Sequence, residues 1–472
     1  MASFNFSMRH FFTNIFKHFY DDVETMLEIC AVGGYNFIGK NMTAVKYGDE
    51  VVIFDMGLFL DKYVQFTENE NEDLSEVSPH ELLKAGAIPD DRVIGAWRDK
   101  VVAIVPTHAH LDHLGAVIFL SNKYDAPLFC TPYTKAVLDR IARDEHIKLK
   151  NKVTALQVNS TYKLSPHLTL EFINVTHSIP QTVMVALHTP EGVLIYANDF
   201  KFDNHPTIGK RPNYERLQEL GKKGVKALIC DSTRAAKEMK TPSEIVAREM
   251  LRDVLLGVNS KGKAIIVTTF ASHLARLKSI IEFGKQLKRK VILLGRSLGK
   301  YVGAGEDIGI VNFSKEVEIA RFGKQIKKRI AKIGDQLDKY LLIVTGHQGE
   351  PNSVLVKMAQ GIIPFPFHPE DHVIFSCGII PSLINIENRR LLEDTLKQHH
   401  VRIFTDIHVS GHASREDLRD LLNIVKPIHL IPAHGDDAMK GALASLAVEK
   451  GYVLGENVHL LHDGDKLSLE SP

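Results

Sequence analysis

Metal-ligand side chains occupy four of six consecutive positions in one short segment, and this feature constrains the fold more than any other. The segment reads His108-Ala109-His110-Leu111-Asp112-His113 and follows the apolar run Val101–Val105, which predicts a buried strand. Alternate residues of an extended segment point the same way, so His108 and His110 can bind one cation together. Asp112 and His113 can bind a second cation beside it. Imidazole and carboxylate ligands suit Zn²⁺.

The remaining ligands are expected at the ends of other predicted strands. His177 ends Leu170–Val175, Asp199 follows Val193–Tyr196, and His434 follows Ile428–Ile431. We assign one cation to His108, His110 and His177. We assign the second to Asp112, His113 and His434, with Asp199 bridging both. Asp55 closes the run Val51–Phe54, and we expect it to accept an N–H from a ligand histidine.

The alternative interpretation of a single histidine is a surface or satisfied core residue, and it suits His429, His459 and His462. It does not suit four ligand residues that follow one buried strand. A structural zinc site is the better competitor, but such sites are closed and rich in cysteine. A histidine and carboxylate set leaves room for water, which favours a catalytic metal.

The distribution of apolar residues predicts an α/β protein in two lobes. Short apolar runs alternate with amphipathic stretches such as Ser243–Leu256 and Ser272–Leu287. A chain of 472 residues is too long for one ordinary core. Further buried strands are predicted at Ala227–Cys230, Ala264–Val267, Val291–Leu294, Leu341–Val344 and Val373–Phe375.

The charge of the chain excludes a global attraction to nucleic acid, since the formal net charge is only +1. Any binding surface for a polyanion must therefore be local. Arg296 and Lys300 lie beside glycine-containing stretches and are candidate phosphate contacts. The basic run Lys324–Arg329 is more typical of a solvated helix face and is weak evidence for a binding surface.

The four cysteines are scattered and form no CxxC pair, which favours free thiols in a reducing, cytoplasmic setting. No apolar run approaches the length of a membrane span. The aromatic-rich segment Phe4–Tyr20 is interpreted as a docking arm or dimer element. The acidic stretch Glu68–Glu81 is interpreted as an exposed insertion.

At this point the residues resemble a known family. The run from His108 to His113, with Asp55, His177 and Asp199, is similar to the signature of the metallo-β-lactamase superfamily. Asp231 in Cys230-Asp231-Ser232-Thr233 resembles the acidic motif of its nucleic-acid-processing β-CASP branch. Two further motifs of that branch are resembled by Ser410-Gly411-His412-Ala413 and Pro432-Ala433-His434-Gly435. The stretches Thr269–Ser272, Gly295–Ser297 and Thr345–Pro351 look like landmarks of the ribonuclease J family within the branch.

The resemblance implies an αββα metallo-β-lactamase sandwich with an inserted α/β β-CASP domain. The implied boundaries are residues 1–239 and 407–472 for the split sandwich domain and 240–406 for the insertion. The implied activity is 5′-to-3′ exonucleolytic hydrolysis of single-stranded RNA, with some endonuclease activity, by an enzyme that holds two Zn²⁺ or Mn²⁺ ions. The aromatic segment Phe4–Tyr20 and the acidic stretch Glu68–Glu81 resemble features of archaeal members of the family. A homodimer is expected.

The resemblance also implies roles for individual residues. Asp199 and Asp231 would serve catalysis, and His412 would bind a phosphate oxygen and protonate the leaving 3′-oxygen. Ser410 and Gly411 would contact phosphate. Ser272 and Ser376 would form a pocket for a 5′-phosphate.

Four other functions remain open from the sequence alone. A DNA repair nuclease or an RNA endonuclease could use the same metal chemistry. A small-molecule hydrolase would leave Asp231, His412 and the insertion without a purpose. A non-catalytic RNA-binding paralogue would typically have lost metal ligands, whereas every expected ligand type is present here.

Overall fold

The computed structural model describes residues 26–70, 78–334 and 336–469. The predicted arm Phe4–Tyr20 lies outside these ranges, as do residues 71–77 of the acidic stretch. None of the helices within the described ranges combines the length and apolar composition that crossing a bilayer requires.

The first sheet has seven strands in the order β19-β1-β2-β3-β4-β5-β6. Its strands are β1 (Leu27–Gly33), β2 (Met42–Tyr47), β3 (Glu50–Phe54), β4 (Val101–Val105), β5 (Leu128–Cys130), β6 (Val153–Ala155) and β19 (Lys466–Leu469). Strand β3 has buried side chains on both faces of this sheet. Val51 and Ile53 join the outer core, whereas Val52 and Phe54 join the core between the sheets.

The second sheet has six strands in the order β18-β11-β10-β9-β8-β7. Its strands are β7 (Thr161–Lys163), β8 (Thr169–Asn174), β9 (Val183–Thr189), β10 (Gly192–Ala197), β11 (Val225–Asp231) and β18 (His429–Ala433). Leu194 and Tyr196 of β10 face the first sheet, and Ile195 faces outward. The two sheets therefore form a sandwich with an apolar core between them.

Helices cover the outer faces and complete the αββα arrangement expected from the sequence. Along the first sheet lie α1 (Leu60–Glu70), α2 (Pro79–Lys84), α3 (Leu111–Leu114), α4 (Val117–Leu120) and α5 (Pro132–Asp144). Over the second sheet pack α6 (Tyr214–Lys223), α13 (Arg415–Val425) and α14 (Asp437–Glu449). The predicted fold class is confirmed.

The third sheet has six parallel strands in the order β14-β13-β15-β12-β16-β17. They are β12 (Ile265–Thr268), β13 (Lys290–Leu294), β14 (Glu318–Ala320), β15 (Tyr340–Val344), β16 (His372–Phe375) and β17 (Arg402–Phe404). Helices cover both faces, as a parallel sheet requires. They are α7 (Glu244–Gly257), α8 (Leu274–Gln286), α9 (Arg296–Asp307), α10 (Gly323–Ile333), α11 (Val354–Ala359) and α12 (Leu383–Gln398).

The third sheet lies in the chain between β11 and β18, which are adjacent parallel strands of the second sheet. It is therefore an insertion in the sandwich. The proposed boundaries at 239/240 and 406/407 fall outside its strands and stay predictions.

Candidate metal centre and active site

The predicted ligands meet because several strands end at the same edge of the sandwich. β3 and β4 run parallel in the first sheet, and β10, β11 and β18 run parallel in the second. β8 has the direction of β10, because each is antiparallel to β9. The residues that follow these strands therefore collect at one rim, including side chains separated by more than 300 positions in the chain.

The first donor set comprises His108, His110, His177 and Asp199, whose ligand atoms lie within 4.8 Å of one another. His110 Nδ1 lies 3.2 Å from His108 Nε2 and 3.1 Å from His177 Nε2. Asp199 Oδ2 lies 3.5 Å from His108 Nε2 and 3.3 Å from His177 Nε2. The four atoms surround a common point, as ligands of a single cation do.

The second donor set comprises Asp112, His113, His434 and Asp199, again within 4.8 Å. The other oxygen of Asp199, Oδ1, lies 3.2 Å from His113 Nε2 and 3.3 Å from His434 Nε2. Asp112 Oδ2 is 3.6 and 3.7 Å from the same two nitrogens. Asp199 thus presents one oxygen to each donor set, which is the geometry of a bridging ligand.

Each histidine of the two sets directs its second ring nitrogen at a protein acceptor. His113 Nδ1 donates to Asp55 Oδ2 at 2.8 Å, and His177 Nδ1 donates to the Gly411 carbonyl at 2.7 Å. His434 Nδ1 donates to Asn41 Oδ1 at 2.8 Å. His108 Nδ1 lies 3.1 Å from Thr107 Oγ1, and His110 Nε2 lies 3.1 Å from Ser272 Oγ. These bonds fix the tautomer and leave the remaining nitrogen unprotonated for a cation.

Of these five acceptors, the sequence predicted only Asp55 in this role. Ser272 and Gly411 were expected to contact phosphate, and no role was predicted for Asn41 or Thr107. Asn41 also donates to the Asp112 carbonyl at 3.0 Å, so it touches both ends of the second donor set. Thr107 is held by Asp55, which accepts its backbone N–H at 2.7 Å and its hydroxyl at 3.0 Å. For Thr107 a signal existed, because it immediately precedes the ligand run. Asn41 had no comparable signal.

The backbone around the centre is tightly constrained. Asp55 and His434 adopt left-handed conformations, with φ of 58° and 54°. Such conformations are costly for residues other than glycine and recur at functional sites. Gly57 is required for a different reason, because a Cβ there would lie 1.6 Å from the Asp112 carbonyl oxygen.

The donor sets fit divalent cations on three independent grounds. Asp199 Oδ1 and His434 Nε2 are buried and have no hydrogen-bond partner among the described residues, although buried polar atoms normally have one. Burial holds the pKa of His110 and His177 well below the usual value, so both imidazoles are neutral as metal binding requires. The mixture of imidazole and carboxylate is also that of zinc enzymes.

The charge balance of the second donor set also calls for a cation. Burial lowers the pKa of His113, but Asp199, Asp112 and Asp55 outweigh burial and hold it well above its usual value. Burial opposes ionisation of Asp199, but the surrounding imidazoles hold its pKa well below the usual range. This set therefore attracts positive charge.

His412 and Asp231 form a pair beside the two donor sets. His412 Nδ1 donates to Asp231 Oδ2 at 2.9 Å, and Asp231 Oδ1 accepts the backbone N–H of Thr233 at 2.8 Å. His412 Nε2 points to the centre, 3.8 Å from Asp199 Oδ2. The His412 side chain is 26% exposed, unlike the buried ligand histidines. It can therefore meet a substrate.

The serines expected to contact phosphate have other partners here. Ser272 Oγ bonds to His110 Nε2. Ser376 is fully buried, with Oγ donating to the Ile407 carbonyl and accepting from Arg276, both at 2.9 Å. The Ser376 hydroxyl is thus already hydrogen-bonded within the protein, and its contact with a 5′-phosphate stays a prediction. This hydroxyl ties the end of β16 to the chain leaving the insertion.

Ser410, Gly411 and Arg296 have distinct positions. Ser410 Oγ accepts the backbone N–H of His412 at 3.1 Å, which holds the turn that carries the imidazole. A Cβ at Gly411 would lie 2.8 Å from the His177 ring, so glycine allows the close approach. Arg296 is exposed at the start of α9 and belongs to neither donor set.

Three family models match successive parts of the chain. The model described as beta-lactamase superfamily domain matches residues 89–245. That described as ribonuclease J, beta-CASP domain, matches residues 262–390. That described as Zn-dependent metallo-hydrolase RNA specificity domain matches residues 399–461. The matched order is that of an interrupted metallo-hydrolase.

Similar proteins span nearly the whole chain. Ribonuclease J of Methanocaldococcus jannaschii is 44% identical over 446 residues, which cover 94% of this chain and 99% of the relative. Ribonuclease J of Pyrococcus abyssi is 44% identical over 441 residues, covering 93% and 96%. Ribonuclease J 1 of Streptococcus pyogenes is 31% identical, covering 94% of this chain and 74% of the relative.

One solved structure agrees at the level of fold. It is the crystal structure of a protein of unknown function from Enterococcus faecalis V583, with a TM-score of 0.61 and 18% identity. The similarity covers 94% of this chain and all of the other.

Proposed function

Since the chain belongs to the ribonuclease J family, a family of metal-dependent nucleases, we propose that it degrades single-stranded RNA in the 5′-to-3′ direction. The expected resemblance to archaeal members is confirmed by the two archaeal relatives. We further propose that it holds two Zn²⁺ ions and favours 5′-monophosphate ends. Direction, end preference and the identity and number of ions are parts of the proposal.

The observation that carries the proposal is the division of Asp199 between the two donor sets. One carboxylate that serves both sets supports two cations held close together. When bound, two such cations lower the pKa of water and neutralise the phosphoryl oxygens during in-line attack. The buried histidines would hold the cations, and the partly exposed edge at Asp112 and His412 would admit the scissile phosphate.

His412 is proposed to supply acid catalysis. Its Nδ1 proton is committed to Asp231, so its Nε2 faces the centre in one fixed orientation. From there Nε2–H can donate to a phosphate oxygen and then pass its proton to the leaving 3′-oxygen. Asp231 stabilises the charged imidazole and prevents the ring from turning.

RNA is the proposed substrate because two of the matching family models are described by RNA-related terms. The insertion gives a nuclease a second surface along which a strand can lie, which a small-molecule hydrolase would not need. Since the Ser376 hydroxyl already has partners within the protein, recognition of the 5′ end is proposed to involve backbone and side-chain donors near Ser272 as well.

The test uses zinc-loaded protein on two matched single-stranded RNAs, one with a 5′-monophosphate and one with a blocked 5′ end. Both carry a 3′ label and are followed on a denaturing gel. Progressive shortening of only the monophosphorylated RNA supports the proposal. Internal cuts in both RNAs would make the protein an endonuclease, and a matched DNA strand tests whether the 2′-hydroxyl is required.

Metal analysis of the same preparation tests the cofactor. Two zinc ions per chain are expected, and manganese in their place would correct the identity of the ion. The homodimer stays a prediction, tested by the molar mass in solution.

A further inference from the structure

A cavity outside the metal centre lies where β13, β14 and β15 of the insertion end, and Glu145, which follows α5 of the sandwich, also lines it. It measures about 430 Å³ and is lined by the first turns of α9 and α10 and by residues that follow β15. In parallel α/β sheets, ligands bind at this edge. The size is that of a small-ligand site.

The lining has an excess of positive charge. Four cationic side chains contribute to it, Arg296, Lys300, Arg321 and Lys357, against one carboxylate, Glu145. Lys300 pairs with Asp144 at 3.0 Å. Among the described residues, no ion pair involves Arg296, Arg321 or Lys357. Three cations that converge without a carboxylate partner favour an anionic ligand.

The backbone around the cavity also favours an anionic ligand. α9 begins after Gly295 and α10 after Phe322, and neither helix has a side-chain hydrogen bond at its N-cap. Both therefore direct free N–H groups and the positive end of a helix dipole at the cavity. The Arg321 side chain packs closely over Gly299, where a Cβ would lie 2.6 Å from it.

The remaining wall suits a planar, apolar group. Phe322 stands in the lining and is 57% exposed, although a large aromatic side chain is normally well covered. Ile326 and Ile363 form a buried apolar floor nearby. An exposed ring next to a basic surface is the arrangement that binds bases and phosphates of single-stranded nucleic acid.

The cavity also lies within reach of the metal centre. β15 alone separates β13 from β12, so their ends are about 10 Å apart. The loop after β12 carries Ser272, which contacts His110.

We propose that this cavity binds one nucleotide of the RNA strand, with the phosphate among Arg321, Lys357 and the two helix N-termini and the base stacked on Phe322. The proposal rests on the proposed ribonuclease function for the identity of the strand. The chemistry of the cavity itself, phosphate plus base, would equally suit a free nucleoside monophosphate. The experiment below separates these two sources.

The variants are Arg321→Met, which keeps the contact over Gly299, and Phe322→Ala. Lys328→Met is the matched control, because Lys328 is exposed on α10 and outside the cavity lining. KM and kcat are measured with zinc-loaded enzyme on a 20-nucleotide RNA and on a dinucleotide, both 5′-monophosphorylated. A stacked dinucleotide spans only ~3.4 Å per step and cannot reach both sites.

We expect each cavity variant to raise KM for the 20-nucleotide RNA about tenfold, the effect of one lost stacking or phosphate contact. In the cavity variants, kcat for the long RNA and both kinetic constants for the dinucleotide should not change. In the Lys328→Met enzyme, none of these constants should change. Arg321→Met should also lower the slope of log KM against log salt by about 0.7, whereas Phe322→Ala should not.

AMP binding, measured by calorimetry on the same proteins, distinguishes the two sources. One outcome would be that AMP binds, that the variants abolish this binding, and that KM for the long RNA does not change. In that case the cavity binds free mononucleotides, and its assignment to the RNA strand is overturned. Unchanged kinetics together with no AMP binding overturns the site altogether. If the unmodified enzyme cleaves no RNA, the ribonuclease proposal fails, while AMP still tests the cavity.

Discussion

At the scale of single residues, the metal centre depends on ligand histidines in which one ring nitrogen faces the donor set and the other has a specific hydrogen-bond partner. Every ligand histidine has one nitrogen fixed by a protein acceptor, and these acceptors come from distant parts of the chain. Ser272 is notable because it lies in the insertion and contacts a ligand of the sandwich. Precise placement of the insertion would therefore affect bound cations through Ser272 and His110.

His412 differs from the ligand histidines in its exposure and in its lack of a place in either donor set. We expect His412→Ala to retain bound metal and to lower turnover about 10²- to 10⁴-fold, the usual contribution of a general acid. Asp231→Asn should lower turnover less, since the imidazole remains. Metal content is measured by mass spectrometry and turnover on labelled RNA. Loss of metal from His412→Ala would identify His412 as a ligand.

Ser272 gives the second prediction at this scale. Ser272→Ala removes the acceptor of the His110 Nε2–H and should weaken retention of one cation about tenfold, as loss of a ligand's orienting partner does. Ser272→Thr keeps a hydroxyl and should retain most of the affinity. A competing chelator measures both. Unchanged affinity in the alanine variant would mean that Ser272 serves substrate rather than metal.

At the scale of helices and strands, sequence periodicity predicts the elements that carry the site. Predicted strands at Val101–Val105, Val193–Tyr196 and Ile428–Ile431 correspond to β4, β10 and β18 within two residues at either end. These strands are buried on both faces, so their apolar runs are continuous. Residues that follow such strands must lie at the sheet edge, and this is why the ligands could be proposed without a structure.

Other elements and contacts could not be predicted. Exposed or very short strands such as β6 and β7 have no apolar pattern. Asn41 lies 393 positions from His434, and Ser272 lies 162 positions from His110. No local pattern encodes contacts over such distances. The internal role of Ser376 was missed for the same reason, since Arg276 and Ile407 reach it only in the folded insertion.

A partly buried ion pair joins strand β8 to helix α6, and its pKa shift leads to a prediction about pH. Arg216 Nε donates to Glu171 Oε1 at 2.5 Å, and His188 Nε2 lies 2.8 Å from Oε2. Burial raises the pKa of Glu171, but His188 and Arg216 outweigh it and lower the pKa to about 2. A lowered pKa means stability that is complete above the ordinary value of 4.5 and declines as the pH falls towards 2.

We therefore expect Glu171→Gln to reduce the free energy of unfolding by about 2 kcal/mol at pH 7 and by about half of that at pH 3. Urea denaturation with EDTA present measures both, so that metal release does not contribute. Glu219→Gln is the control, because Glu219 binds the same arginine but is 59% exposed. A pH-independent difference for Glu171→Gln would show that its charge does not stabilise the fold.

At the scale of the whole molecule, one arginine connects the start, the middle and the end of the insertion. Arg276 on α8 is fully buried and binds both oxygens of Glu244, which begins α7, at 2.6 and 2.8 Å. The same guanidinium donates to the carbonyl of Ser376 at 2.9 Å and to that of Ile407 at 3.2 Å. It thus links the entry into the third sheet with the exit from it.

The neighbouring pair of the same helices provides a comparison. Arg248 of α7 binds Glu282 of α8, but their side chains are 23% and 36% exposed. Water can replace that bond, whereas it cannot easily reach Glu244 or the two carbonyls. Two ion pairs of the same residue types between the same helices should therefore differ in their contribution to stability.

We expect Arg276→Met to lower the free energy of unfolding by about 3–5 kcal/mol, because it leaves Glu244 charged, buried and without its arginine. Arg248→Met should cost less than about 1 kcal/mol. Denaturant titration of both variants checks the difference. Because α8 directly follows Ser272, Arg276→Met should also release bound metal to a chelator more readily at denaturant concentrations where the chain remains folded. Equal losses of unfolding free energy in the two variants would mean that the contacts of Arg276 between the entry and the exit do not hold the insertion in place. Any coupling of the insertion to bound cations through Ser272 would then have to depend on other contacts.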